Sequence, residues 1–167
     1  MGKRRILVRQ IPNQLPYCIN ACYTNENTVN DNNSMIIKIK DANYNIKFIL
    51  ALLNSKLLSK WFADYFGKLS RKIFPQFKIN ELKIFPIKEY SNQKIFVSLV
   101  DYILLLKSEK KINIDLLIPT YFEQIIDGMV YELYFPELLQ QHNRTIIAHL
   151  GELPSFTDKM NDSQKQW

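Results

Sequence analysis

Residues 46–87 decide how this chain folds. Ile46-Lys-Phe-Ile-Leu-Ala-Leu-Leu-Asn-Ser-Lys-Leu-Leu-Ser-Lys-Trp-Phe62 comes first, and after a short basic segment Ile73-Phe-Pro-Gln-Phe-Lys-Ile-Asn-Glu-Leu-Lys-Ile-Phe-Pro-Ile87 follows. Phe48, Ile49, Leu52, Leu53, Leu57, Trp61, Phe62 and Tyr65 recur at spacings of three and four, which predicts one long helix with a broad buried face. Asn45 is placed to cap its start and Gly67 to end it. Leu82 to Ile87 alternates like a half-buried strand until Pro86 removes a donor. A core helix is therefore expected to feed a basic loop that returns into a sheet.

Upstream, Arg4 to Ile11 reads as a strand with Ile6 and Val8 on one side and Arg5, Leu7 and Arg9 on the other. Pro12-Asn13 and Pro16 break it, and Tyr17 to Thr24 offers a second strand. Asn25 to Ser34 is rich in Asn and Thr, has no periodic apolar face and is expected to be a loop. Met35 to Lys40 supplies a third strand. Downstream, Gln93 to Lys111 carries apolar residues at helical spacing. Thr120-Tyr-Phe-Glu123 has the form of a capping box for a helix from about Tyr121 to Tyr134, and Pro136 suits the first position of the next helix. The expected class is α+β: a small mixed or antiparallel sheet on a long core helix, then a helical extension. Residues 1–90 would form the globular part, 91–150 a helical spacer or docking region, and 151–167 a polar tail. Both ends read as cut, as in a domain excised from a longer chain.

At 167 residues and 47% hydrophobic, the chain is long enough to bury one core. Its net charge of +6 is unevenly spread: Met1 to Pro119 holds 19 Lys and Arg against 9 Asp and Glu, whereas Thr120 to Trp167 holds 3 against 7. A basic part beside an acidic helical part points to a polyanionic partner, since clustered cations displace counterions from phosphate. Cys18 and Cys22 alone suggest a reduced, cytoplasmic protein, and strand alternation would put both on one face. The most apolar run, Ile95 to Leu106, contains Asp101 and is too short to span a bilayer.

Enzymatic chemistry needs a constellation that is missing. There is no glycine-rich phosphate loop, no G-x-S-x-G elbow and no His-Glu-x-x-His helix. The Pro-Pro-Tyr-type tetrad and glycine-rich cofactor motif of amino-methyltransferases are absent too. His142 and His149 lack converging ligands, so no metal is expected. Asp127, Glu132 and Glu137 read as a solvated helix face or a docking surface. Two basic clusters remain: Lys3, Arg4, Arg5 and Arg9 at the first strand, and Lys68, Arg71 and Lys72 after the core helix, with Lys56 and Lys60 before them and Lys78 beyond. On their own such groups are a solvated face, with those near Gly67 complementing the helix dipole.

The segment F-I-L-A-L-L-N-S-K-L-L, then F-P-Q-F with L-K-I-F-P-I, preceded by Arg4-Arg5-Ile6-Leu7-Val8-Arg9-Gln10-Ile11 and followed by Asp127-Gly128-Met129-Val130-Tyr131-Glu132-Leu133-Tyr134, resembles the TaqI-like C-terminal specificity domains of type IIG restriction-modification enzymes. Those domains are similar in turn to the specificity subunits of type I systems. The resemblance implies recognition of double-stranded DNA, with Lys3, Arg4, Arg5, Arg9, Lys56, Lys60, Lys68, Arg71, Lys72 and Lys78 gripping the duplex. It implies base-reading loops at Asn25–Ser34 and Asp64–Phe74, and Asn54-Ser55 as a structural pair that bonds the sheet or caps backbone groups. Adenine-methylating and cutting domains, with their S-adenosylmethionine and Mg, would lie upstream and outside this chain, which would hold no cofactor. Three rival readings stay open: a protein-interaction module with an incidental basic surface, an RNA-binding domain that stacks bases on Tyr17 and Tyr23, and an autonomous enzyme.

Overall fold

The computed structural model describes residues 4–26, 29, 31–67, 76–108, 117–151 and 153. Three strands, β1 (Arg5–Arg9), β2 (Ala21–Thr24) and β3 (Ser34–Ile37), form one antiparallel sheet in the order β2-β1-β3. Among the described residues six helices follow: α1 (Ile46–Leu53), α2 (Lys56–Phe66), α3 (Ile79–Leu82), α4 (Lys94–Ser108), α5 (Leu117–Tyr134) and α6 (Pro136–Gln141), with a 3₁₀ turn at Ile147–His149. The α+β class expected from the sequence is the one observed.

Alternation in β1 is as expected. Ile6 and Val8 are fully buried, whereas Arg5 and Leu7 are half-buried and Arg9 is exposed. Ala21 and Met35 join Ile6 and Val8 on the inner face, which α1 covers. All six residues from Phe48 to Leu53 are buried, so α1 is surrounded by protein: β1 and β2 contact it, and so does α4. Phe48 meets Phe96 of α4 edge to face at 5.1 Å. α5 packs on α4 and α2, and a single core runs through sheet and helices alike.

The long helix is in fact two. Asn45 caps α1 through its side-chain oxygen, which accepts from Lys47 N–H at 2.9 Å, and Gly67 ends α2 with φ +57°. Between them Ser55 is extended (φ −74°, ψ 153°), and its hydroxyl donates to Leu52 C=O at 2.7 Å and accepts from Leu58 N–H at 3.3 Å. One hydroxyl thus closes the first helix and caps the second. Asn54 turns the other way, toward the sheet. Its oxygen accepts from Ala21 N–H and its NH₂ donates to Ala21 C=O, each at 2.9 Å.

Three further expectations are corrected. Leu82 to Ile87 joins no sheet: Ile84 and Phe85 N–H bond back to Glu81 and Leu82 C=O, and the chain then docks on Tyr134. Local turns satisfy these donors before a ladder could, and Pro86 has none to offer. β2 begins only at Ala21, after a cis Leu15-Pro16 bond, so strand alternation does not reach Cys18. Cys18 is buried and Cys22 exposed. α5 starts at Leu117, with Pro119 in its first turn where no intrahelical donor is needed, so Thr120 lies within the helix and does not cap it. α6 does begin at Pro136 as expected.

The acidic helix is also not simply solvated. Asp127 is only 5% exposed, and Glu132 Oε2 accepts from Ile146 and Ile147 N–H at the start of the 3₁₀ turn. Between them, Gly128 admits Ile146, whose Cδ1 would lie 2.2 Å from a Cβ at that position. Tyr134 OH donates to Pro86 C=O and accepts from Lys88 N–H. Four residues of the segment Asp127–Tyr134 therefore hold three different parts of the chain, Gly128 and Glu132 both meeting Ile146.

Candidate nucleic-acid interface

The outer face of the sheet is the opposite of its inner one. Arg5, Leu7 and Arg9 point outward from β1, beside Cys22 and Thr24 of β2 and Ser34 and Ile36 of β3. Cys22 and Ile36 are exposed. Because β2 and β3 are each antiparallel to β1, they run parallel to each other, and the chain between them must travel the length of the sheet. Thr24 lies opposite Arg5, and Ser34 lies opposite Arg9. The Arg5 guanidinium donates to Glu26 C=O at 3.2 Å, so this crossing begins on the outer face. It ends in a turn made by Asp31, whose side chain accepts from Asn33 N–H and Ser34 Oγ at 3.1 Å.

Gln10, next to Arg9, joins two separate segments. Its N–H donates to Asn33 C=O at 2.8 Å, and its C=O accepts from Phe77 N–H at 2.6 Å. Phe77 is fully buried against Phe62 and Phe85, which fixes this end of the segment in the core. Lys78 follows it, exposed, its own N–H held by Glu81 Oε2 at 2.9 Å.

The described cations fall into two kinds. Lys60 pairs with Asp64 at 2.6 Å, Lys107 with Glu123 at 2.6 Å, and Lys47 with Asp101. Lys56 is held most firmly: its Nζ lies 3.3 Å from Asp127 and 5.2 Å from the Tyr17 ring, while its N–H, first in α2, donates to Asp127 Oδ1 at 2.8 Å. Tyr17 OH donates to the other oxygen at 2.7 Å. One buried carboxylate from α5 thus gathers three donors, including one at a helix N-terminus where negative charge is favoured. Burial, then the Asp127 hydrogen bond, pushes the Tyr17 hydroxyl pKa up; the Tyr17 and Asp127 contacts push the Lys56 ammonium up.

Arg4, Arg9 and Lys78 are exposed and carry no ion-pair partner among the described residues. Pairing of β3 with β1 adds two cations that sequence reasoning passed over, Lys38 and Lys40, both exposed. Lys40 and Arg4 line one cavity of about 290 Å³ with Asp41 and Tyr44. The signal was the Lys-Ile-Lys alternation itself, but only the strand order brings it beside Arg4. Lys3, Lys68, Arg71 and Lys72, expected at the DNA surface, lie outside the described residues.

Residues 1–87 match the model of the TaqI-like C-terminal specificity domain. The chain belongs to this family. The family match covers the sheet, α1, α2 and α3 of this specificity domain and ends just before the Tyr134 anchor point at Lys88. A protein of Methanocaldococcus jannaschii described as a "Putative type II restriction enzyme and methyltransferase" is 27% identical over 169 aligned positions, which take in 99% of the chain. The chain spans about 14% of that relative's length. No solved structure gives a significant match.

Among the described residues no cluster of three or more His, Cys, Asp or Glu could hold a metal ion, and both histidines of this specificity domain are exposed. Among the described residues no helix is long and apolar enough to cross a membrane. A cavity of about 440 Å³ lies between β2, α1, α4 and α5, with Tyr17, Asn54 and Asp127 on its wall. Those three polar groups are already joined to Lys56 and Ala21.

Proposed function

We propose that this chain recognises a specific double-stranded DNA sequence for a restriction-modification enzyme of type IIG that methylates adenine. The observation that carries the reading is the set of exposed cations around the sheet in a member of the specificity-domain family: Arg4, Lys38 and Lys40 stand near one end of β1, Arg9 and Lys78 near the other, and none has a carboxylate partner among the described residues. Cations free of internal partners are the ones able to displace counterions from a DNA backbone. Lys56 and Lys60, facing Asp127 and Asp64, contribute less to this surface.

In this reading residues 1–90 face the DNA and the helices of residues 91–150 set its orientation. The Asp127 latch, the Lys47–Asp101 pair and the Tyr134 anchor make that connection rigid. The methylating and cutting domains, with S-adenosylmethionine and Mg, lie outside this chain and receive the base flipped from the duplex held here. The protein acts in the cytoplasm.

Equilibrium binding to duplex DNA, titrated with salt and competed with unrelated duplex and with single-stranded RNA, tests the proposal. A steep loss of affinity with salt and discrimination among duplexes is expected. Equal competition by every duplex, or preference for single-stranded RNA, would overturn it.

A further inference from the structure

We infer that Arg9 reads a guanine edge, as the specificity-determining residue at the point where two segments of the chain converge, while the cations at the far end of β1 hold phosphate. This rests on the DNA-recognition reading above. Four observations lead to it. Arg9 is exposed on the outer face, ends the central strand and has no ion-pair partner among the described residues. Its neighbour Gln10 binds the backbone of both Asn33 and Phe77, so Arg9 emerges between two anchored segments and not from a free loop. Its own N–H is held by Asn20 C=O at 2.9 Å, which fixes the base of the side chain on the β2 side of the strand. Opposite it in register lies Ser34, a small residue whose hydroxyl is taken up by Asp31.

Spacing then assigns the two ends different tasks. Arg4 and Arg9 are about 17 Å apart along an extended chain. The major groove is about 12 Å wide between its phosphate walls. A guanidinium placed at the floor of that groove therefore puts Arg4, with Lys38 and Lys40, beyond one wall, within reach of backbone phosphates. A planar guanidinium can give two parallel hydrogen bonds to guanine O6 and N7, which an ammonium cannot. A side chain fixed at its root by the β2 strand, with its neighbour tied to two more segments, presents that fork with little freedom to lose.

Duplexes preferred by the full chain are first selected from a randomised duplex pool, and affinities for preferred and singly substituted duplexes are then measured for wild type, Arg9→Lys, Arg9→Ala and Arg4→Ala. Arg9→Lys and Arg9→Ala are expected to lose preference at one G·C position by about tenfold or more, with other positions unchanged. Arg4→Ala should weaken all duplexes alike. Arg9→Ala weakening preferred and substituted duplexes equally, or Arg9→Lys keeping the full preference, would overturn the inference and leave the DNA-recognition reading standing. A wild-type chain that selects no duplex at all would remove both.

Discussion

The side-chain amide of Asn54 pairs with Ala21 as one strand residue pairs with another, accepting from its N–H and donating to its C=O, both at 2.9 Å. Ala21 lies opposite Val8, and its polar backbone groups face away from β1 toward the open edge of the sheet. The residue that separates two helices thus also closes that edge at one position, which is one way native proteins limit strand addition.

Replacing Asn54 should therefore cost more than its half-buried position suggests. Asn54→Ala leaves both groups of Ala21 without their partner and is expected to lower stability by about 1–3 kcal/mol. Asn54→Asp should do comparable harm, since its carboxylate cannot donate to Ala21 C=O. Urea unfolding followed by circular dichroism measures both. A change below about 0.5 kcal/mol for each, the range of ordinary surface substitutions, would deny the pairing an energetic role.

Asp127 ties the helical part to α2 and to Tyr17, and its effect should depend on pH. Burial and the Asp127 hydrogen bond raise the Tyr17 pKa above 10.0, and the contacts with Tyr17 and Asp127 raise that of Lys56 above 10.5. Both groups bind their protons more tightly when folded, so this stabilisation is fully present below about pH 10 and is lost as pH rises through the folded values. Asp127→Asn should lower stability at pH 7, and the gap between variant and wild type should narrow above pH 10. A gap that widens with alkali would contradict the assignment.

The two thiols should behave differently. Burial pushes the Cys18 thiol pKa up, and its Sγ donates to Ser59 C=O at 3.2 Å, whereas Cys22 lies exposed on the outer face. A thiol reagent added to the folded chain should modify Cys22 rapidly and Cys18 only on unfolding. Mass spectrometry of the labelled peptides reports the order. Equal rates at both would place Cys18 outside the core.

Much of this architecture could be read from side-chain periodicity. Ile6 and Val8 alternate as a half-buried strand must, Asn45 and Gly67 bracket the helical segment, and Pro136 opens α6. What periodicity could not show was the break at Ser55: apolar spacing continues through it, and only the capping chemistry of Asn-Ser argues for an interruption. Leu82 to Ile87 misled for the converse reason, because alternation without a strand to pair with makes no sheet. The basic face was visible as composition, but whether a given lysine is free depends on partners far away in sequence. Lys56 meets an aspartate 71 residues later. The convergence at Gln10 is carried by backbone groups and leaves no trace in side-chain identity.

The most direct test of the account compares two charge-matched double variants for duplex binding across salt concentrations. Arg4→Ala with Arg9→Ala removes two exposed cations without ion-pair partners among the described residues, one near each end of β1; Lys60→Ala with Lys107→Ala removes two exposed ones that already face Asp64 and Glu123. Net charge falls equally in both. The first pair should lose affinity and flatten the slope of log affinity against log salt by about one, the share of the Arg4 phosphate contact, while the second stays close to wild type. Equal losses from the two pairs would mean that the duplex responds to overall charge alone, and that the sheet face is not where it binds.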